Sequence, residues 1–353
     1  MNSERTPTFA SRLPHVGTTI FTVMSALATE QQAVNLGQGF PDFDCDPQLV
    51  DAVTTAMKDG HNQYPPMPGV APLREAIASK IDALYGRRYD AASEITVTAG
   101  ATVVRVPLTP GSFRPDFGRI AAALTPKTRA ILINSPHNPS GTVWSAGDMQ
   151  KLDELLAPTN VLLISDEVYE HMVYAPLRHE SAARYPGLAA RAFIVSSFGK
   201  TYHVTGWKVG YVAAPAPLMA EFRKVHQFNV FTVNTPMQHG LAAYMQDPRP
   251  YLELPAFYGA KRDLFRTGLA QTRFRLLPCE GTYFQCVSIA DLTVPERELP
   301  DSEFCQWLTR EFKVAAIPLS AFYGDGFDQK VIRFCFAKKD DTLRAALARL
   351  TRL

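Results

Sequence analysis

Cysteine is scarce in this chain and badly spaced for any staple: Cys45, Cys279, Cys286, Cys305 and Cys335 make five, with no C-x-x-C pair. That argues against a disulfide framework or a cysteine-built zinc site, and the mostly apolar neighbours predict reduced core thiols in a cytoplasmic protein. Long apolar runs are absent as well. None reaches the ~20 residues that cross a bilayer, and the first residues lack the basic, apolar and small-residue series of a secretory leader, so no membrane partner is expected. Neither sign of charge dominates: 36 Lys and Arg stand against 34 Asp and Glu, a formal charge of +2, without a long basic run. A nucleic-acid surface is therefore not expected. Also missing are G-x-G-x-x-G, G-x-S-x-G and H-E-x-x-H, which disfavours a Rossmann dehydrogenase, a serine hydrolase and a zinc hydrolase. No repeat or low-complexity tract interrupts the chain.

What is there is a chain of 353 residues, 46% apolar and 20% charged, long enough for a buried core and two domains. Residues 1–15 are polar with two prolines and read as an arm lying on a partner subunit. Helical spacing marks 20–27, 47–58, 73–85, 116–124, 149–156, most of 218–243, and 255–270 with Lys261 and Arg262 on its wet face. Strands are expected at 94–98, 130–134, 161–165 and 192–196, with 209–213 pairing antiparallel or extending the sheet. This alternation predicts a doubly wound, mainly parallel α/β sheet with its site at the carboxyl ends of the strands. Asn138, Asp166 and Lys200 each follow such an end. From Phe274 onward the pattern changes to strands at 274–277, 283–287, 314–317 and 331–336 with helices at 301–312 and 342–350, a compact α+β unit.

One junction is anomalous. The strand 94–98 runs into Ala99-Gly100-Ala101-Thr102, small residues that ordinarily open a helix with free N–H groups able to bind an anion. No helix follows. Residues 103–108 look like another strand, with no room for the crossover that a parallel pair demands.

The chemistry concentrates in Ser196–Tyr211. An apolar strand ending at Val195 breaks at once into hydroxyls, a glycine and Lys200. An amine at the mouth of an apolar element is poorly hydrated, which disfavours its ammonium form and suits it to attack a carbonyl. Ser196, Ser197, Thr205 and Lys208 supply donors and a positive charge for a phosphate. Asp166, at the end of a buried strand, is costly unless a cation faces it. Pyridoxal 5'-phosphate offers a protonated ring nitrogen to Asp166, an aldehyde to Lys200, a ring oxygen to Asn138 and Tyr169, and a phosphate to Ser197 and Lys208.

The segments Asn35-Leu-Gly-Gln-Gly-Phe-Pro-Asp-Phe43, Asn62-Gln-Tyr64, Pro136-His-Asn-Pro-Ser-Gly141, Asp166-Glu-Val-Tyr169, Ser197-Phe-Gly-Lys200, Thr205-Gly-Trp-Lys-Val-Gly210 and Ile332-Arg-Phe-Cys-Phe336 stand in one order along the chain. Together they resemble the class I aminotransferases of fold type I, and most of all the kynurenine/methionine branch, over roughly residues 17–350. The resemblance implies an arm and part of the small domain at 1–43, a large cofactor domain at 44–273 and a small domain at 274–353. It implies Lys200 as the lysine that condenses with the cofactor, Asp166 on the ring nitrogen, and Asn138 with Tyr169 on the ring hydroxyl. Ser197, Lys208 and the backbone amides of Ala101 and Thr102 would hold the phosphate, joined by Tyr64 from a second subunit of a homodimer. Arg333 would clamp the substrate carboxylate in bidentate fashion, with a backbone N–H from Gly39 and a side-chain pocket lined by Phe21.

The departure from the family lies at Thr102-Val103. Relatives of this kind continue there into a helix, a strand and a loop bearing the aromatic that stacks on the cofactor ring, and nothing in this chain matches that portion. If the portion is truly lost, a weakly holding or inactive protein is expected. If it is missing only from the written sequence, the enzyme is intact, and the preservation of every other motif favours this second reading. The implied activity is transfer of the amino group of methionine or an aromatic amino acid, kynurenine included, to a 2-oxo acid in two alternating half-reactions. Phe21, Tyr202, His203, Phe322 and Tyr323 suggest a roomy aromatic pocket. A β-lyase acting on cysteine conjugates would use the same lysine, aspartate and arginine, and a catalytically silent binding protein on the same scaffold is the rival from another class.

Overall fold

The computed structural model describes residues 19–98, 107–293 and 298–353; the arm, Ala101, Thr102 and most of the strand expected at 103–108 lie outside them. Pro107 and Leu108, the described end of that expected strand, are not in a strand. Eleven strands fall within the described residues: β1 (Val34–Asn35), β2 (Ile95–Thr98), β3 (Ala130–Asn134), β4 (Leu162–Asp166), β5 (Ala192–Ser197), β6 (Gly210–Ala213), β7 (Arg275–Leu276), β8 (Phe284–Ser288), β9 (Val314–Ala315), β10 (Ile317–Pro318) and β11 (Val331–Cys335). The larger sheet has the order β2-β6-β5-β4-β3. Strands β3, β4 and β5 run parallel, and β6 is antiparallel to both β5 and β2. The register sets Asn134 beside Asp166, Asp166 beside Val195 and Ser197 beside Gly210. The segments that carry Asn138, Asp166, Lys200 and Lys208 therefore leave or enter the sheet at one end.

The near-continuous apolar runs of β4 and β5 fit strands covered on both faces. β3 departs from this, for it is the last strand of the described sheet and its Leu132 is 39% exposed. Helices flank the sheet for local reasons that the sequence states. In Pro47–Lys58 the Asp46 carboxylate accepts from Gln48 N, proline takes the first turn, and Leu49, Val53 and Ala56 form the buried stripe. It packs on the helix Thr235–Tyr244, where a Cβ on Gly240 would overlap Val53. Ser145 and Asp148 close a reciprocal capping box on Ala146–Leu156.

The second sheet, β10-β11-β8-β7, is antiparallel throughout and places Arg333 of β11 between Cys286 and Ile317. β1 pairs parallel with β9, tying the 35–39 loop to this unit. One apolar cluster fills the larger sheet unit, and a second joins Met24 and Leu27 to residues of the Leu254–Leu269 helix and the C-terminal strands and helices. Lys261 corrects the expectation of a wet face on that helix: it is 9% exposed, its Nζ 2.8 Å from Asp340 Oδ1 and over the rings of Phe43 and Phe257. Arg262 likewise covers the Tyr174 ring, 4.3 Å from its centroid. All five cysteines are free, and four of them are buried. No helix among the described residues is long and apolar enough to cross a membrane.

Candidate active site

Ser197 ends β5 and caps the one-turn helix Phe198–Thr201 by accepting from Gly199 N at 3.2 Å, which turns Lys200 back over the sheet end. Glycine is required at 199, since a Cβ there would meet the Thr205 backbone at 2.9 Å. The Lys200 amine donates to Gly39 O at 3.3 Å and sits 5.8 Å from the ring centroids of both Tyr169 and Tyr283. Burial lowers its pKa below the ordinary 10.5, and the positive charges of Arg333 and Lys208 push the same way. Asp166, at the end of β4, is shifted up by burial, and among the described residues no cation forms an ion pair with it. Its Oδ1 accepts only a long bond, 3.3 Å, from Val168 N.

Arg333 is 1% exposed, so it is no surface ion pair. Its Nη1 donates to Asn138 Oδ1 at 2.6 Å and its Nη2 to Gly37 O at 3.2 Å, while Nε is buried with no partner. The guanidinium lies 3.9 Å from the Phe284 ring centroid, 5.3 Å from Phe322 and 5.6 Å from Phe21. Phe21 and Phe322 meet edge to face at 5.8 Å. A buried cation with an unused donor, walled by three phenyl rings and with no carboxylate partner among the described residues, is arranged to receive one.

Most of the expected residues thus converge, with changes in detail. Asn138 reaches the site through Arg333, and its backbone N–H is fixed by Asn134 Oδ1 at 2.8 Å. At Gly39 the engaged atom is the carbonyl rather than the N–H, accepting from Lys200 and, at 2.8 Å, from Tyr283 OH; a Cβ there would strike Phe284. Tyr169 is buried edge-on to Tyr283 and Phe284, its hydroxyl pKa pushed up by burial. Lys208 closes the short turn Thr205–Trp207, two residues before β6, in a left-handed backbone conformation, φ 58°. Tyr64 stands 80% exposed with its ring edge-on to Phe231.

Three expectations are corrected. Ser196 is turned away from the phosphate position, since side chains alternate along β5, and donates instead to Glu170. Tyr202 stacks on Phe198 and meets Tyr244 inside the larger sheet unit, and His203 packs among Phe43, Phe257 and Tyr258, where burial pushes its pKa down to about 4. Neither lines the open cleft. Phe322 and Tyr323 do: together with Asn134, His137, Asn138, Trp144 and Leu132 they border a cleft of about 530 Å³ beside the Arg333 anchor. Sequence reasoning missed Tyr283 and Phe284, which wall the amine and carry the guanidinium. Their Gly-Thr-Tyr-Phe segment has no spacing that links it to the other motifs.

Comparison with known proteins identifies the family. The family model described as aminotransferase class I and II matches residues 86–350. Methionine aminotransferase of Escherichia coli K12 is 48% identical over 381 positions, covering 97% of this chain and 98% of that protein. Human kynurenine–oxoglutarate transaminase 3 is 31% identical over 409 positions, covering 96% and 89%. The crystal structure of YbdL from Escherichia coli, identified with a methionine aminotransferase function, superposes with a TM-score of 0.94 at 47% identity, over 99% of this chain and 100% of that one. Since 97% of 353 residues is about 342, about 39 of the 381 positions in the first alignment face no residue here. With a family model over about three quarters of its length and near-complete relatives on either side of 40% identity, this chain belongs to the class I and II aminotransferase family.

Proposed function

We propose that the chain transfers the amino group of methionine or an aromatic amino acid, kynurenine among them, to a 2-oxo acid, using pyridoxal 5'-phosphate held at Lys200. The observation that carries this reading is Arg333, a buried guanidinium with a free Nε, flanked by phenyl rings and close enough to Lys200 to shift its pKa. The residues present suit the cofactor: among the described residues Asp166 forms no ion pair and feels the Lys200 charge only weakly against its burial, and the Lys200 amine has a lowered proton affinity. When bound, the cofactor supplies an aldehyde and an electron-accepting ring. Arg333 binds the donor's α-carboxylate and Asn138 orients Arg333. Phe21 and Phe322 exclude water beside the side chain. The Lys200 amine takes the proton from the donor's Cα, and Asp166 would hold the cofactor's ring nitrogen through its charge. Tyr64, with Val225, Phe228 and Phe231 also exposed, supports a homodimer in which this face is covered.

Purified chain is expected to turn over methionine and phenylalanine with a 2-oxo acid, and aspartate about 10²-fold more slowly, because a second carboxylate in an apolar pocket finds no partner. New amino acid measured against pyruvate and ammonia separates transfer from β-lyase action, and light scattering should give two chain masses. Strong aspartate turnover with negligible methionine turnover would overturn the assignment.

A specific observation favours a second, weaker form of this reading. About 39 positions of the Escherichia coli relative are unmatched, and the exposed edge strand β3 and the open cleft stand beside Asn138. We place the gap at Thr102-Val103 and infer loose cofactor binding. Inserting the relative's unmatched residues there is expected to lower the Kd for pyridoxal phosphate at least about tenfold, a gain of ~1.4 kcal/mol. Equal Kd values for the two chains, read by absorbance titration, would show that the gap is immaterial to binding.

A further inference from the structure

The turn that follows β4 divides its side chains between two regions. Asp166 and Tyr169 face the site; Glu167 and Glu170 point the other way and are 1% and 6% exposed. Glu167 Oε1 accepts from Ser165 Oγ at 2.8 Å and Ala182 N at 2.9 Å, and its Oε2 lies 2.8 Å from His179 Nε2. Glu170 is more heavily engaged. It accepts from Lys80 Nζ at 2.8 Å, Ser196 Oγ at 2.7 Å, Tyr211 OH at 3.0 Å and Tyr85 OH, while Lys80 also donates to Tyr211 OH at 2.7 Å and has His171 Nε2 at 3.4 Å.

These partners belong to the elements that carry the site. Ser196 precedes Ser197, and Tyr211 follows Gly210, the residue paired with Ser197. Tyr169 and Glu170 are adjacent, and the turn is closed by Glu170 N donating to Glu167 O at 2.9 Å. Lys80 and Tyr85 bring in the helix Ala71–Tyr85 from behind the sheet. One carboxylate thus joins that helix, two strands and the turn at the end of the sheet where Lys200 emerges.

Stability alone is a poor reason for such a cluster. A buried ion pair contributes little net stability, because desolvation of both charges offsets their attraction. What four donors converging on one carboxylate do provide is a single geometry. Burial raises the proton affinity of Glu170, but Lys80 and the hydrogen bonds of Lys80 and Tyr85 outweigh it and keep the carboxylate ionised. His171 is pushed down to about 3 by burial and stays neutral.

We propose that Glu170, with Glu167 at the other end of the turn, is a positioning residue: through the main chain it sets where Asp166 and Tyr169 stand relative to Lys200. The proposal rests on the reading of Asp166 and Tyr169 as cofactor-side groups. Neither glutamate touches reactants.

The test uses the full chain carrying Lys80→Met with Glu170→Gln, which removes both buried charges together and leaves no stranded ammonium, beside Glu170→Gln alone. The expected result is a double variant that melts within a few degrees of the parent while its amides at 166–170 exchange about tenfold faster, leaving β8 and β11 unchanged. In protein saturated with pyridoxal phosphate, kcat for methionine falls about 10²-fold with KM within a few-fold, the signature of misplacement rather than lost binding. Parental exchange at 166–170, or faster exchange with parental kcat, would overturn the proposal. Should the double variant not fold, Glu167→Gln loosens the other end of the same turn and is judged by the same two readouts. If the parent chain captures no cofactor on Lys200, it is the functional reading that falls, and amide exchange still decides whether the glutamates hold the turn.

Discussion

Lys200→Ala is expected to eliminate cofactor trapping and to slow amino transfer by at least about 10⁴-fold, since among the described residues no other amine is placed both to condense with an aldehyde and to move the Cα proton. Borohydride reduction of the parent chain, saturated with pyridoxal phosphate, should label the peptide containing Lys200 and no other; the variant should carry no label. The pH dependence has a definite sign. Burial, aided by Arg333 and Lys208, lowers the Lys200 pKa, so the reactive amine appears below the ordinary 10.5 and capture quickens as pH rises toward that lowered value. For folding the same shift means that the unfolded chain binds more protons between the two pKa values, and this residue's contribution to stability grows with pH across that window. A label at another lysine, or capture that accelerates only above 10.5, would contradict the assignment.

Arg333→Lys should be nearly as damaging, for a different reason. The guanidinium spends Nη1 on Asn138 and Nη2 on Gly37 and retains an unpartnered Nε over Phe284, a planar fork that an ammonium cannot reproduce. Truncating one partner of a buried charge-assisted contact costs about 2–5 kcal/mol, so kcat/KM for amino acid donors should fall about 10²–10³-fold. An amine without a carboxylate gives the control: its slow reaction should be the same in parent and variant. Equal losses for both substrates would mean that the lysine had disturbed the site rather than removed a carboxylate contact. Unchanged kcat/KM for methionine would remove Arg333 from the site altogether.

Some of this architecture could be read directly from residue order. The strands β3, β4 and β5 are short apolar runs ended by polar residues, and each end carries a residue with chemistry to offer, so Asn138, Asp166 and Lys200 could be gathered before any coordinates. Helices with proline or aspartate starts, such as Pro47–Lys58, were equally plain. Misreadings came where direction or distance mattered. Ser196 and Ser197 look alike in sequence, but alternation along β5 sends one to Glu170 and the other to the site. Tyr202 and His203 follow Lys200 closely and still pack elsewhere, because the one-turn helix after Ser197 rotates them away. Tyr283 and Phe284 lie more than eighty residues beyond Lys200 and announce themselves by no spacing.

The residue order by itself determined the chemistry on offer: one amine at a strand end, an aspartate without a local partner, an arginine far along the chain, and an anomalous junction at Thr102-Val103. Only the folded chain decided that Arg333 is buried among phenyl rings with an idle donor, that Gly39 presents its carbonyl, and that Glu170 ties the turn from behind. The physical reason is that hydrophobic patterning and local turns are properties of neighbouring residues. The direction of a side chain and the burial of its charge depend instead on what distant strands and helices bring against it.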